Sequence, residues 1–121
     1  MAIHKQVLAA HGGHPGIRDG NLLESAIEAP QALMFGKPIF DEVIEIAAAF
    51  LFYLCKNHPF LDGNKRTALA TALIFLHENG HLPDLGAPSR DIDAWEAIVL
   101  DVAAGKISRE ALTLRLRGLM A

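Results

Sequence analysis

His58-Pro59-Phe60-Leu61-Asp62-Gly63-Asn64-Lys65-Arg66 is a polar segment set between two of the most apolar runs of a 121-residue chain, residues 46–55 and 68–76. It reads as a loop that becomes a helix. Pro59 biases His58 toward an extended backbone, so the preceding helix ends near Asn57 and leaves the imidazole outside it. Phe60 is the apolar anchor of the loop. Asp62 is a good N-cap, and Gly63 lets the backbone come close to a ligand. Asn64, Lys65 and Arg66 place free amides and two cations in the first helical turn. Free amides and the positive end of the helix dipole attract anions, whereas the two cations oppose that dipole until an anion neutralises them. The pattern is that of a phosphate site, and the Asp62 carboxylate beside it suits Mg²⁺.

The flanking segments dictate the architecture. Residues 41–57 open with Asp41 as cap and with Glu42 and Glu45, then turn apolar nearly all round through Ala47, Phe50, Leu51 and Leu54. Residues 64–79 carry Ala68, Leu69, Ala72, Leu73, Phe75 and Leu76 up to the stop at Gly80. Helices without a polar face belong inside, so these two form the centre. Toward the N-terminus, Ile3, Val7, Leu8 and Ala10 mark an amphipathic helix that stops at Gly12-Gly13 and begins almost at Met1, as a shortened first helix would. Residues 11–20 form a Gly-rich loop. Its His11 and His14 have no acidic or cysteine partner at metal-binding spacing, so turn chemistry accounts for them. Asn21 and Glu24 resemble a capping box that starts a short helix over 22–28, with Leu23 and Ile27 on one face. Residues 30–40 mix apolar side chains with Gly36 and Pro38 and read as a surface flap. Beyond Pro83, Asp91 caps a helix over 92–104 that turns Trp95, Ile98, Val99 and Val102 inward, with Gly105 past its end. Ser108 caps a last helix over 109–119. Leu112, Leu114 and Leu116 alternate there as in a strand, but no partner strand is evident. The expected fold is all-α: one domain over 1–121, a compact bundle of about six helices with a short surface flap.

Composition bounds the function. Hydrophobic residues make up 51% of the chain and charged ones 21%, which is globular composition and excludes a disordered chain. The net charge is −3, with no basic cluster beyond Lys65-Arg66, so direct nucleic-acid binding and attachment to an anionic membrane are disfavoured. The apolar run 46–55 is far shorter than the roughly 20 residues that cross a bilayer. Cys55 is the single cysteine and sits within that run, so it reads as a buried thiol in a reducing cytoplasm. No signal peptide is read at the start of the chain.

The stretch resembles the signature of the Fic/Doc family: His, any residue, Phe, any residue, Asp or Glu, Gly, Asn, two further positions, Arg. The matching positions are His58, Phe60, Asp62, Gly63, Asn64 and Arg66. Fixed residues of several chemical types at defined spacing are far more specific than a lone Gly-rich pattern. The Gly-Ile-Arg-Asp stretch and the Leu-Leu-Glu-Ser helix are familiar companions of the motif in that family, and Arg18 is expected to hold the loop by an ion pair.

The resemblance implies ATP as substrate and Mg²⁺ as cofactor, with part of the nucleotide transferred to a protein hydroxyl. It makes His58 the base, a role that histidine suits near neutral pH. It makes Asp62 the Mg²⁺ ligand, and Gly63, Asn64, Lys65 and Arg66 the phosphate cradle. Phe35, Gly36 and Lys37 lie in the flap, where the resemblance implies a hairpin or loop that pairs with the target's backbone.

Two departures decide what is transferred. Members that transfer AMP have Gly where this chain has Lys65, and a second Arg where it has Leu69. Asn-Lys-Arg-Thr instead resembles the Doc branch, toxins that transfer the terminal phosphate to translation elongation factor Tu. The family's inhibitory helix (Ser or Thr, three residues, Glu, Gly or Asn) is absent from this sequence, which implies a separate Phd-type antitoxin. The alternatives are an AMP transferase and a non-catalytic helical module that binds a partner through the same pocket.

Overall fold

Residues Val43–Asn57 form the helix against which most of the molecule packs. The computed structural model describes residues 2–34, 36–40, 42–81 and 92–120. Among these are six α-helices: α1 (Ala2–His11), α2 (Gly20–Glu28), α3 (Val43–Asn57), α4 (Asn64–Glu78), α5 (Ile92–Ala103) and α6 (Arg109–Met120). α3 touches α2, α4, α5 and α6, while α1 lies on α4. The apolar girth of α3 explains its place, since Ala47, Ala48, Leu51 and Leu54 are all essentially inaccessible. They meet Ala68, Ala72 and Leu76 of α4, Trp95, Ile98, Val99 and Val102 of α5, and Leu112 and Leu116 of α6 in one core. Burying a side chain of Leu or Phe size contributes roughly 1.5–3 kcal/mol, so the core is ample for an all-α fold of this length.

α6 settles the choice between helix and strand. Leu112 and Leu116 are fully buried, four residues apart, while Leu114 is 69% exposed, as a helical period requires. Ser108 caps it, its Oγ accepting from the Ala111 N–H at 3.1 Å. Ion pairs of 2.7 Å, Arg115 to Asp101 and Arg117 to Glu42, tie α6 to α5 and to the start of α3. The expected cap Asp41 lies outside the described residues, as does Asp91. Glu42 holds the cap position of α3 but makes no side-chain cap bond, because its carboxylate is turned to Arg117. At α2 the cap is Asp19, whose carboxylate accepts from the Leu22 N–H at 3.0 Å. The capping box expected at Asn21 and Glu24 is therefore placed two residues late: Asn21 already lies within the helix.

The flap is a hairpin. A 3₁₀ turn (Ala29–Gln31) leads into β1 (Leu33–Met34), which pairs antiparallel with β2 (Lys37–Pro38) in the register Leu33 to Pro38 and Met34 to Lys37. Gly36, at φ 78°, supplies the positive φ that so short a connection needs. Phe35 lies outside the described residues. The structure thus has the all-α core and the hairpin that were expected. No described helix is long and apolar enough to cross a membrane.

Candidate active site

α3 ends at the motif, and its last carbonyls are satisfied differently from those of α4 and α5. α4 and α5 each stop at a glycine with φ near 75°, Gly80 and Gly105. Each carries the paired hydrogen bonds of a Schellman cap: Gly80 N–H to His77 O with His81 N–H to Leu76 O, and Gly105 N–H to Val102 O with Lys106 N–H to Asp101 O. α3 cannot stop that way, because the residue two past its end is Pro59, which has no N–H. Arg18 instead binds the carbonyls just at and past the end of α3. Its Nε donates to His58 O at 2.7 Å and its Nη2 to Asn57 O at 2.9 Å. Arg18 does hold the loop, but through two main-chain carbonyls rather than an ion pair.

His58 itself departs from expectation. Its backbone is left-handed, φ 50° and ψ 54°, not extended, and it is the single non-glycine residue with positive φ among the described residues. Pro59 bars a further right-handed turn, and the surrounding bonds select the left-handed one. Residues 16–19 run antiparallel to the loop, with Ile17 bridging Phe60. Arg18 N–H donates to Pro59 O at 2.6 Å and Leu61 N–H to Gly16 O at 3.2 Å. A left-handed non-glycine residue costs about 1–2 kcal/mol, so it persists only where neighbours over-determine it. The result is an exposed imidazole thrown clear of α3.

Phe60 anchors the loop as expected, at 1% exposure. Asn64 then closes it: the Phe60 N–H donates to Asn64 Oδ1 and the Asn64 Nδ2 donates to Phe60 O, both at 2.9 Å. Asn64 is buried and its amide is used at both ends. What it offers a phosphate is therefore its main chain, not its side chain. Asp62 does not cap α4. Gly63 does, at φ 76°, and the Asp62 Oδ1 accepts from the Gly63 N–H at 2.8 Å. The Asp62 Oδ2 lies 3.4 Å from the His14 N, a long contact. The carboxylate is exposed at a cleft and keeps lone pairs to spare, which fits a hard cation such as Mg²⁺.

The cleft has a volume of about 580 Å³ and is lined by Cys55, His58, Leu61, Asp62, Gly63, Asn64, Lys65, Arg66 and Ala103. It collects every motif residue expected to act. Lys65 and Arg66 are exposed in the first turn of α4, and no carboxylate pairs with either among the described residues. The flap is apart from this set: Gly36 and Lys37 are exposed and do not line the cleft. Leu69 faces the core rather than the cleft. Burial pushes the Cys55 thiol up to about 12, against the opposing pull of Lys65 and Lys56, so it is a neutral wall of the cleft and not a nucleophile.

Sequence reading passed over His4. The apolar face of α1 is His4 and Val7, with Ile3 and Leu8 half-buried and Ala10 exposed. The available signal was a histidine at helical spacing from Val7 and Leu8, on a face where an aliphatic residue would do. Its ring stacks on Phe60 and its Nε2 lies 2.8 Å from Asp62 O.

The fold and cleft define a class: a small helical protein in which an imidazole, a carboxylate and two cations converge where a loop becomes a helix. Comparison supplies the family. Residues 1–76 match the profile of the Fic/DOC family. The chain is 38% identical over 112 residues to Toxin Doc of Mycolicibacterium smegmatis, covering 93% of this chain and 84% of that protein. It is 39% identical over 80 residues to Protein kinase doc of Escherichia phage P1, covering 66% of this chain and 63% of the phage protein. The chain belongs to the Fic/DOC family, in its Doc branch.

Proposed function

We propose that this chain is the toxin of a toxin–antitoxin pair, a kinase that uses Mg²⁺ and ATP to phosphorylate a hydroxyl of translation elongation factor Tu in the cytoplasm and so arrests protein synthesis. The observation that carries the reading is the convergence of exposed His58 and Asp62 with the exposed cations Lys65 and Arg66 in one cleft. The names of the two relatives support it.

The acceptor oxygen attacks the γ-phosphorus and its proton passes to the His58 imidazole. The bond between the γ-phosphorus and the bridging oxygen breaks, and ADP leaves with that oxygen. Lys65, Arg66 and the free amides at the start of α4 hold the polyphosphate and offset charge on the transferred group. Asp62 would hold Mg²⁺, which would supply charge neutralisation on the phosphates. Phe35, Gly36 and Lys37 of the flap dock the target's extended backbone by strand addition. A Phd-type antitoxin on a separate chain keeps the enzyme silent.

The direction of the nucleotide follows from Lys65. A side chain there occupies the place where main chain would approach the α-phosphate, so the γ-phosphate is the group presented. ATP labelled separately at the α and γ positions, with the elongation factor as acceptor, tests this. The protein is expected to transfer the γ-label alone, and Lys65→Gly to lose γ-transfer while gaining some α-transfer. Transfer of the α-label by the unaltered protein would identify an AMP transferase, and transfer of neither a non-catalytic module.

A further inference from the structure

A chain of two hydrogen bonds runs from α1 to the Asp62 carboxylate. His4 is 4% exposed, and its Nε2 lies 2.8 Å from Asp62 O. A carbonyl only accepts, so Nε2 carries the hydrogen and donates. That carbonyl and the Gly63 N–H belong to one planar peptide group. The Gly63 N–H in turn donates to Asp62 Oδ1 at 2.8 Å. Rotation of this peptide would break both bonds at once, so whatever fixes its carbonyl also fixes the direction of the carboxylate.

The surroundings leave the peptide little other freedom. The His4 ring lies flat on Phe60, with centroids 3.8 Å apart and planes 8° from parallel. A Cβ at Gly63 would meet Leu8 at 3.4 Å and His4 at 3.7 Å. On the other side, a Cβ at Gly13 would sit 2.9 Å from Asp62 Oδ2. Gly13, just past the end of α1, therefore lies against the back of Asp62. A leucine at position 4 could fill the space against Phe60. A buried imidazole is accounted for by the carbonyl it serves, since burying a polar ring without a partner is unfavourable.

We propose that His4 is a positioning residue for Asp62, holding the 62–63 peptide so that the carboxylate faces the cleft ready for a divalent cation. This rests on the reading of Asp62 as the metal carboxylate. It makes α1 a working part of the site rather than a cover for α4. A residue that holds a metal ligand from behind typically alters affinity or activity by about 10–100-fold when removed.

The test uses the full chain and Mn²⁺ as a spectroscopic stand-in for Mg²⁺. Free Mn²⁺ is followed by electron paramagnetic resonance in the presence of a non-hydrolysable ATP analogue. His4→Phe keeps the flat ring and loses the donor; His4→Gln keeps a donor of similar reach and loses the ring. We expect His4→Phe to weaken Mn²⁺ binding about tenfold or more while melting close to the parent without metal, and His4→Gln to recover most of the affinity. Asp62→Asn is the control for the underlying reading and should abolish binding. Parental Mn²⁺ affinity in His4→Phe, with binding lost in Asp62→Asn, overturns the proposal and leaves the role of Asp62 intact. Undiminished binding in Asp62→Asn removes the role of Asp62 and the proposal with it. A His4→Gln protein as weak as His4→Phe would mean that ring shape matters and the donor does not, which also overturns it. Should His4→Phe fail to fold, His4→Met, which lacks a donor but adapts its shape, carries the same expectation. If neither donor-less variant folds, His4 is a structural residue and the proposal falls.

Discussion

His58 is strained where it is exposed, which separates its contribution to chemistry from its contribution to folding. Its left-handed backbone favours glycine, and its side chain packs against little. His58→Gly should therefore lower phosphate transfer by the ~10²–10⁴-fold typical of a lost general base. Stability should be unchanged or raised by up to about 1 kcal/mol. Thermal melting and a γ-label assay on the same preparation check both halves, and a clear loss of stability would show that the imidazole is a packing element. Arg66 offers a parallel case. It is an exposed cation at the positive end of a helix dipole, and no carboxylate meets it among the described residues. Arg66→Ala should leave the melting temperature without ligand the same or slightly higher. Nucleotide affinity should fall by at least about tenfold, the value of one charge-assisted hydrogen bond. Isothermal titration with an ATP analogue and a melting curve without it separate the two effects. A protein destabilised in the absence of ligand would mean that Arg66 is structural.

At the level of elements, the end of α3 is held from outside. α4 and α5 close with their own glycine caps, but Pro59 lacks the amide that such a cap would use at α3, and Arg18 from an earlier loop binds the carbonyls of Asn57 and His58 instead. Arg18→Met keeps the aliphatic stem and removes both bonds. It should cost about 1–2 kcal/mol, at the low end for charged donors because Arg18 is exposed. It should also lower kcat by letting His58 wander, with little change in nucleotide affinity. Arg18→Lys should restore part of the rate. Steady-state kinetics and nucleotide titration on both variants test this; an unchanged kcat with a raised KM would place Arg18 in binding instead. The role of Arg18 as a loop fastener was legible from the Gly-rich setting. Its partners were not, because main-chain carbonyls carry no signature in the sequence of the residue that donates to them.

For the molecule as a whole, the cleft and the core share Cys55, and this links folding to pH. Burial raises the thiol from 9.0 in its ordinary state to about 12 in the folded protein. The folded state thus holds the proton more tightly. The stability that this contributes is complete below about pH 9 and is lost as pH rises through the interval up to about 12. Within that interval one proton gives a slope of about 1.4 kcal/mol per pH unit. Cys55→Ala should lose this part of the alkaline slope, though it opens a small cavity at every pH. Denaturant midpoints of the two proteins between pH 8 and 11 measure the difference, and parallel curves would mean that the thiol is solvated. The two central helices and the helices around them could be read from the chain, because apolar periodicity and glycine stops act over a few residues, whereas the hairpin followed only from the family resemblance. Expectations failed wherever a polar group had a choice of partners. Asp19 rather than Asn21 caps α2, Gly63 rather than Asp62 caps α4, and Asn64 spends its amide on Phe60 rather than on the cleft. Local sequence dictates which residues are able to cap, bend or bind. Which of them does so depends on what the folded chain brings within 3 Å, and for His58 and Asp62 those neighbours come from Arg18 and His4, 40 and 58 residues away.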